Sequence, residues 1–530
     1  MRIAKPLVAI LTVVVALLLA VAGGCASNNK STGGLDFGND SGDGQNFGDD
    51  TGGGSGSGSG SSGDPSGIIP FDPGGDSGTA VNCPAGSPLS CYVNTSCSSN
   101  GHTTLTGKVY DPAGKNPLYN VVVFVPNYPS QLPAIADGTS TCNTCSAPVG
   151  DYVAVALTDK TGSFTLTDVP TGKNVPLVVQ IGKFRRVVNV ANVADCKTTT
   201  LPTSGTGQAR LPRNKSEGSL PKMALLTGGL DDLGCFMTRM GIDASEYSAP
   251  GAGGHLDIYQ GFGLGGVPGP GLSTGTAGNC TNTSCPLWSS KKSLEAYDIV
   301  LLACEGDPYD QNAGNADGGG GGLGLGGGAA NVTTAAKQYM HDWLNEGGKV
   351  FATHFHYTWF MNGPPDFQTV ATWLGASIGA GMCTNCTIDT SFVKGQNFHD
   401  WLQTVGALNG TGITLTGMAT SVSAVNTKTT SRWIYDPMSV DGKMDTKYLS
   451  FETPIGGLPG DGGESGPEYC GKAVFTDLHA GGAPSGNVPG MCKTGDLSAQ
   501  EKALEYLFFD LSACVTDDTK PPPIPPQPPK

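Results

Sequence analysis

The sequence predicts a multi-domain chain in which a small β-sandwich precedes an α/β domain built on a parallel sheet. Its 530 residues are more than one hydrophobic core usually organises. Short strand-like runs separated by turn signals fill much of the first half, which is typical of a β-sandwich. In the second half, unbroken apolar runs alternate with amphipathic helices, which is typical of a parallel sheet buried on both faces.

Charge and glycine content narrow the expected partners and locate the linkers. The formal net charge is −15 and no run is rich in Lys or Arg, so nothing in the chain would neutralise phosphates, and no nucleic-acid partner is expected. The 81 glycines cluster in three tracts, Thr32–Gly63, Gly251–Gly271 and Gly318–Gly328. These tracts predict loops or linkers rather than core.

Residues 1–24 have the parts of a secretory signal peptide: a charged start, an apolar middle and a small-residue exit. The small residues Ala22, Gly23 and Gly24 directly before Cys25 resemble the lipobox of bacterial lipoproteins. The resemblance implies that Cys25 is lipidated, becomes the mature N-terminus and anchors the protein to a membrane. A single transmembrane anchor is the alternative, but about 15 apolar residues fall short of the ~20 that span a bilayer.

The residues after Cys25 bear on the compartment. Ala26 stands where an inner-membrane retention signal would have Asp, so the resemblance implies an outer-membrane lipoprotein of the cell envelope, periplasmic or surface-exposed. Residues 25–80 are Gly/Ser-rich and predict a disordered tether that holds the folded part away from the membrane. At the other end, the Pro-rich residues 517–530 predict a disordered or polyproline-like tail.

Residues 81–200 predict the β-sandwich. Turn signals separate six strand candidates, which are Thr104–Tyr110, Val121–Pro126, Tyr152–Thr158, Ser163–Val169, Val175–Ile181 and Phe184–Val190. The segments Leu105–Asp111, Thr158–Leu166 and Val169–Gly172 are similar to the carboxypeptidase regulatory-like domain. The resemblance implies a spacer or binding module without catalytic residues. The polar, Gly/Pro-containing residues 201–221 predict a linker to the next domain.

Residues 222–516 predict the α/β domain. Its expected elements are a first strand Lys222–Gly229, a strand-helix-strand unit of Tyr297–Gly306, Ala335–Asn345 and Lys349–His356, a strand within Ala473–Gly482 and a last helix that a capping box starts at Ser498. Asp231 and Asp232 are assigned to the first turn of the helix after the first strand, where carboxylates suit the helix dipole.

Reactive side chains stand at the ends of the predicted strands. They are Cys304, Glu305, His354, His356 and His479. Because parallel strands bring their carboxyl ends to one edge of a sheet, these side chains are expected to converge within a few ångströms. Any chemical function of the domain is therefore predicted at this edge.

Three segments of the α/β domain resemble a known superfamily. Tyr297–Leu302, Trp343–His354 and Gly471–His479 are similar to the class I glutamine-amidotransferase-like proteins, nearest to their trehalose-utilisation (ThuA-like) branch. The resemblance implies a flavodoxin-like fold and places Cys304 where the amidotransferases carry their nucleophile. A departure is Gly481, two residues after His479, where the superfamily has Glu.

The first hypothesis for the strand-end site is a hydrolase-type enzyme in which a histidine activates a thiol. Its catalytic residues would be Cys304, Glu305, His354 and His479. A nucleophilic thiol needs a nearby cation or a helix N-terminus to lower its pKa. The acidic neighbours Glu305 and Asp307 act in the opposite direction.

Two other classes of function stay open. His354 and His356 alternate along a predicted strand and would point to one side, so that together with His479 they could bind zinc or another divalent metal. The third class is a binding or scaffold module for an undefined ligand, a carbohydrate or a protein, with Tyr357 and Trp359 forming an aromatic rim. The sequence favours this third class without deciding whether the domain is catalytic.

The sixteen cysteines predict an oxidised fold, as expected for an exported protein. Besides Cys25, six lie in the β-sandwich and nine in the α/β domain, so the odd number leaves at least one α/β thiol unpaired or paired between chains. Short spacing predicts the bridges Cys142–Cys145, Cys383–Cys386, Cys280–Cys285 and Cys470–Cys492.

Overall fold

The computed structural model describes residues 69–525, with gaps at 74–82, 85, 99–100, 139–141, 143–148, 262–277, 282–283, 313–330, 376–380, 439–441, 459–467, 482–491 and 493. The predicted signal peptide, the lipidation site Cys25, most of the tether and the end of the tail lie outside these residues. Within the described ranges, no helix is both long and apolar enough to cross a bilayer.

The first part of the chain forms two small sheets, which we call the β module (residues 104–200). One sheet has the order β4-β1-β7, with β1 Thr104–Lys108, β4 Ser163–Thr167 and β7 Thr198–Thr200. The other has the order β3-β2-β5-β6, with β2 Val122–Pro126, β3 Tyr152–Leu157, β5 Gly172–Ile181 and β6 Phe184–Val193. Buried residues of both sheets, such as Leu105 and Val123, belong to one hydrophobic core. The six predicted strands are confirmed, and β7 is additional.

The second part, the α/β module (residues 223–520), is built on a mixed sheet of thirteen strands. Five parallel strands have the order β10-β8-β12-β13-β20, with β8 Met223–Leu226, β10 Leu256–Gln260, β12 Ile299–Leu302, β13 Lys349–Thr353 and β20 Gly471–Thr476. In order of appearance these are strands 2-1-3-4-5, the order of flavodoxin-like folds. The parallel core of the predicted sheet is therefore confirmed.

The remaining strands extend this sheet at its edges. Beyond β20 run antiparallel neighbours, which are β19 Asp445–Thr453, β18 Ser431–Asp436, β15 Gly381–Ile388 and β16 Ile413–Met418. Short additions are β9 Tyr247–Ser248, β11 Gly278–Asn279, β14 Ala371–Trp373 and β17 Val422–Val425. The sequence analysis does not predict the antiparallel half, because its strands carry many polar residues and lack the unbroken apolar runs of the parallel strands.

The helices are mostly short. They are α1 Leu233–Arg239, α2 Lys291–Leu294, α3 Thr334–Asn345, α4 Thr358–Met361, α5 Pro365–Gln368, α6 Val393–Thr404 and α7 Ala499–Ser512. Single 3-10 turns occur at Leu89–Tyr92, Pro129–Gln131, Ala244–Glu246, Pro286–Trp288 and His354–Tyr357. The predicted capping box of α7 is confirmed, since Ser498 and Glu501 exchange side-chain-to-backbone hydrogen bonds.

The β module packs directly against the α/β module. Phe184 of β6 contacts Phe508 and Phe509 of α7, with ring centroids 6.2 and 5.8 Å apart. Within the predicted linker 201–221, Leu211 and Leu220 are buried in the same core. The described residues accordingly fall in one compact unit, and the predicted division at 201–221 stays a prediction.

Disulfides join distant parts of the chain more often than the spacing rule predicts. The bridges between two described cysteines are Cys83–Cys91, Cys97–Cys196, Cys142–Cys470, Cys235–Cys492, Cys280–Cys285 and Cys383–Cys386. The predictions for 280–285 and 383–386 are confirmed. Those for 142–145 and 470–492 are wrong, because Cys142 and Cys470 are bonded to each other and Cys492 is bonded to Cys235. Cys304 is a buried free thiol.

Candidate functional site

Three parallel strands deliver three reactive side chains to one edge of the sheet. Cys304 lies two residues after β12, His354 directly after β13 and His479 three residues after β20. One ligand atom from each side chain lies within 4.8 Å of those of the other two. The Sγ of Cys304 is 3.4 Å from Nδ1 of His354. The predicted convergence is confirmed for these three residues, which we call the strand-end cluster.

His356 does not join the cluster. The strand ends at Thr353, and a 3-10 turn begins at His354, whose φ of +36° lies in the left-handed region. The prediction that His354 and His356 point to one side required an extended strand and is wrong for this reason. Both ring nitrogens of His356 have partners: Nε2–H donates to the carbonyl of Ala303 at 3.0 Å, and Nδ1 accepts from Trp359 Nε1 at 3.3 Å. Burial lowers the pKa of His356 to about 4, so the ring is neutral.

The tautomer of His479 follows from its hydrogen bond. Its Nδ1 lies 2.8 Å from the carbonyl oxygen of Gly417, which can only accept, so Nδ1 carries the proton. Nε2 is then the basic nitrogen. It is buried and makes no hydrogen bond to any described residue. The imidazoles of His479 and His354 meet edge to face, with ring centroids 5.2 Å apart. A backbone acceptor on one nitrogen and a lone pair directed inward is the arrangement of a metal-ligating histidine.

The thiol of Cys304 is held in its neutral form. It is fully buried, and burial raises its pKa well above the usual value. The carboxylates of Asp231 and Glu305 raise the pKa further, while the backbone N–H groups of Phe355 and Gly306 act in the opposite direction. A thiol whose pKa is raised in this way is a poor nucleophile.

Glu305 lies beside the cluster and not in it. Its side chain is buried and packs against Gly261, where a Cβ would lie 2.7 Å from Oε1. It is not among the residues that bring a ligand atom within 4.8 Å of the others. Its contribution, as the structure has it, is negative charge next to Cys304.

Asp231 is a neighbour of the cluster that the sequence analysis assigned to helix α1. It lies before the helix and is fully buried, and its Oδ1 accepts a hydrogen bond from Ala480 N at 2.6 Å. Burial raises the pKa of Asp231, whereas His479 and Thr353 lower it. The signal that could have found it is its position after the first strand, since strand-end reasoning applies to β8 as well as to β12.

The expected aromatic rim is not at the surface. Tyr357 and Trp359 are each 1% exposed, and Trp359 packs edge-on against Trp288 with ring centroids 5.0 Å apart. The prediction that these rings would stack on a ligand is wrong, because the turn after β13 directs them into the core.

Two other groups of ligand-type side chains occur in the described part of the chain. They are Cys97 with Asp195 and Cys196, and Cys383 with Cys386 and Asp436. The cysteines of both groups are disulfide-bonded, so they offer no thiolate. Of the three groups, only the strand-end cluster combines a free thiol with imidazoles.

Comparisons with known proteins do not assign the chain to a family. No protein-family model matches the chain, and no curated protein does. A protein from Bacteroides uniformis described as ThuA-like aligns over 54% of this chain and 88% of its own, with 9% identity and a TM-score of 0.27. A cytoplasmic protein from Salmonella typhimurium aligns over 54% and 98%, with 11% identity and a TM-score of 0.25. TM-scores this low do not establish a shared fold, so the assignment of the sheet depends on its own strand order.

Proposed function

We propose that the chain is an exported, lipid-anchored cell-envelope protein whose α/β module binds a divalent transition metal ion through Cys304, His354 and His479. The observation that most directly supports this proposal is that one ligand atom of each residue lies within 4.8 Å of those of the other two. The carboxypeptidase regulatory-like and ThuA-like assignments of the two modules belong to the same proposal. They are supported by the quoted sequence segments and, for the second module, by the 2-1-3-4-5 strand order.

The donor set fits a borderline-soft metal such as zinc. One thiolate and two imidazoles leave a fourth position for water or a ligand, which is the arrangement of zinc sites with a chemical role. In a tetrahedral site with ordinary bond lengths, a sulfur and a nitrogen ligand lie about 3.6 Å apart. The observed separation between Cys304 Sγ and His354 Nδ1 is 3.4 Å.

The electrostatics of the cluster also favour a cation. Asp231 and Glu305 place negative charge beside Cys304 and hold its proton on. A bound metal would offset that charge and stabilise the thiolate. Because Nδ1 of His479 carries the proton, the lone pair on Nε2 could bind a metal ion without displacing a proton. When bound, the metal would supply Lewis acidity at its fourth position, and the carbonyl of Gly417 would hold the His479 ring in the ligating orientation.

A thiol hydrolase is the second candidate, because the 3.4 Å contact between Cys304 and His354 is also the contact of a nucleophile with its base. The raised pKa of the thiol counts against it. A binding or scaffold role for a carbohydrate or protein ligand is compatible with either arrangement at the cluster.

Metal analysis tests the proposal. Protein purified without chelator should contain about one equivalent of metal, and cobalt substitution should produce a thiolate-to-metal absorption band. Cys304→Ser, His354→Ala and His479→Ala should each lose both signals. His102→Ala is the matched control, since this histidine just before the β module has a side chain 56% exposed and, among the described residues, is paired with Asp168. Metal-free wild-type protein that also fails to take up cobalt would overturn the proposal.

The anchor has its own test. Cys25→Ser, compared with the wild type after cell fractionation, should move the protein from the membrane fraction to the soluble fraction. Retention of the variant with membranes would show that another feature holds the protein there.

A further inference from the structure

A proline-rich segment near the end of the chain lies against the β module. Its described part is residues 521–525, which we call the proline tail. The hydroxyl of Tyr152, at the start of β3, donates a hydrogen bond to the carbonyl oxygen of Pro525 at 2.8 Å. The two residues are 373 positions apart in the sequence, so the fold and not chain continuity brings them together.

The sequence of the tail restricts it to an extended conformation of the polyproline II type. Each proline has its φ fixed near −65°, and a residue that precedes a proline is kept out of the helical region. In the tail, Pro521, Pro522, Ile524 and Pro525 are each followed by a proline. Such a segment has no internal hydrogen bonds, so its carbonyls need donors from outside. Tyr152 is one of these donors.

The burial of the tail follows the period of that conformation. Pro522 and Pro525 are half-buried, whereas Pro521, Pro523 and Ile524 are exposed, Ile524 by 55%. A polyproline II helix has three residues per turn, so positions 522 and 525 lie on the same side of it. That side faces the protein. The tail is therefore seated by one face, as a bound proline-rich peptide is.

The surface at Tyr152 is an apolar patch on the outer face of the four-stranded sheet. Tyr152 packs with Phe124, Val149 and Val178 in a cluster separate from the main core. Phe124 and its neighbour on β2, Val123, belong to different clusters, so the patch is on the face turned away from the main core. A tyrosine in such a patch offers an apolar ring and one hydroxyl donor, which suits proline rings and carbonyls. The partly buried residues packed against the patch are Val122, Leu132, Val155 and Val187.

The chain just before the tail is fixed by Asp518, a buried residue of the segment after α7. Oδ1 of Asp518 is 2.8 Å from Nζ of Lys472, at the start of β20, and 2.9 Å from Nζ of Lys394. These residues belong to a buried ion-pair network at the edge of the sheet where the parallel strands begin, opposite the strand-end cluster. We call this network the amino-edge cluster, and its other members are Glu452 and Asp510.

The distance from this fixed point to the patch is short. Pro525 is seven residues after Asp518, and that many residues span about 20 Å in a polyproline II segment. A tether this short and stiff keeps the effective concentration of the tail at the patch high. The tail therefore occupies the patch in preference to a free segment of the same chemistry.

We propose that the Tyr152 patch is a recognition surface for a proline-rich segment in the polyproline II conformation, and that the proline tail occupies it in cis. A partner segment has to displace the tail in order to bind. The chemistry that fits is a run with prolines three residues apart, whose rings pack on the patch while a carbonyl accepts a hydrogen bond from Tyr152. The inference does not depend on the metal site.

Peptide binding to the full chain tests the surface. The probe is a fluorescently labelled synthetic peptide with the sequence of residues 519–525, followed by anisotropy. The variant Pro522→Ala, Pro525→Ala removes the two half-buried rings of the tail, so it should bind the peptide about tenfold or more tightly than the wild type. Pro521→Ala, Pro523→Ala removes two exposed rings and is the matched control, which should bind as the wild type does.

A second substitution tests the contact with the tyrosine. Tyr152→Phe, added to the Pro522→Ala, Pro525→Ala variant, should weaken peptide binding about fivefold, because one hydrogen bond is lost. Phenylalanine keeps the ring in the apolar patch, and circular dichroism checks that the fold is retained. A peptide with alanine at the positions of Pro522 and Pro525 should not bind.

Three outcomes would overturn the proposal. The first is no binding of the peptide to the Pro522→Ala, Pro525→Ala variant at millimolar concentration. The second is equal affinity of the peptide for that variant and for the matched control, which would show that the tail does not cover the surface. The third is unchanged affinity after Tyr152→Phe, which would place the peptide elsewhere on the protein.

Discussion

The two edges of the same sheet carry buried polar clusters of opposite design. At the carboxyl edge, Cys304, His354 and His479 bring ligand-type atoms together, and Nε2 of His479 has no partner among the described residues. At the amino edge, Lys394 and Lys472 face three carboxyl groups at 2.7–3.3 Å. The first cluster has the carboxylates of Asp231 and Glu305 beside its thiol, whereas the second contains its own counter-charges.

The difference between the two clusters indicates which edge of the sheet needs an external ligand. Buried charges are tolerated when they are paired and hydrogen-bonded, and the amino-edge cluster satisfies that condition internally. The strand-end cluster satisfies it only by keeping the Cys304 thiol protonated. A cation from outside would therefore change the carboxyl edge and leave the amino edge unaffected.

Removal of one charge from the amino-edge cluster should have the largest effect. Lys472→Met leaves Asp510, Asp518 and Glu452 facing a single ammonium, and breaking a buried pair in this way costs about 3–5 kcal/mol of the free energy of unfolding. Urea unfolding measures it. The double variant Lys472→Met, Asp518→Leu should recover part of the loss, and a double variant as unstable as the single one would contradict the idea that pairing decides stability.

Metal addition should have the next largest effect, confined to the carboxyl edge. A metal ion at a free concentration of about a hundred times its dissociation constant stabilises the folded state by about 2.7 kcal/mol. Thermal unfolding with and without zinc should show this rise in the wild type and in Lys472→Met, but not in Cys304→Ser. Because the thiol must lose its proton on binding, the rise should shrink as the pH is lowered. An equal rise in Cys304→Ser would place the metal elsewhere.

The pH dependence of stability should also differ between the two edges, and this effect should be smaller than that of metal addition. The folded pKa of Glu452, about 8, is above its unfolded value of roughly 4.3, so the folded state holds the proton more tightly. Its contribution is fully present below the unfolded pKa and is lost as the pH rises toward 8. Glu452→Gln should reduce the downward slope of unfolding free energy against pH by about 1.4 kcal/mol per unit. An unchanged slope would show that Glu452 is ionised in the folded state.

Much of the fold could be predicted because its signals are local. The apolar run before Cys304, the amphipathic helix α3 and the capping box of α7 each lie within a few residues of one another, and all three are confirmed. The antiparallel half of the sheet and the Cys142–Cys470 bridge depend on packing between distant segments. No short pattern in the chain encodes them.

The strand-end cluster was predictable to the same extent. Parallel topology places Cys304, His354 and His479 at one edge whatever the details of the strands, so their convergence followed from the strand order. The orientation of His356 did not, because it depends on where the strand stops, and the positive φ of His354 has no sequence signal. The amino-edge cluster has no local signal, because its charged residues come from separate segments of the chain that only the folded sheet and helix α7 bring together.

Alkylation of native Cys304 should be almost undetectable, and this result would distinguish a metal site from a thiol enzyme. Burial, Asp231 and Glu305 hold the pKa of Cys304 high, so iodoacetamide should leave the native thiol unmodified near neutral pH, with chelator present or absent. Unfolding in denaturant should expose it to rapid alkylation. If native Cys304 instead reacts quickly at neutral pH, and His354→Ala abolishes the reaction, the 3.4 Å contact is that of a nucleophile and its base. The Cys304 thiolate at the carboxyl edge would then form without a metal ion.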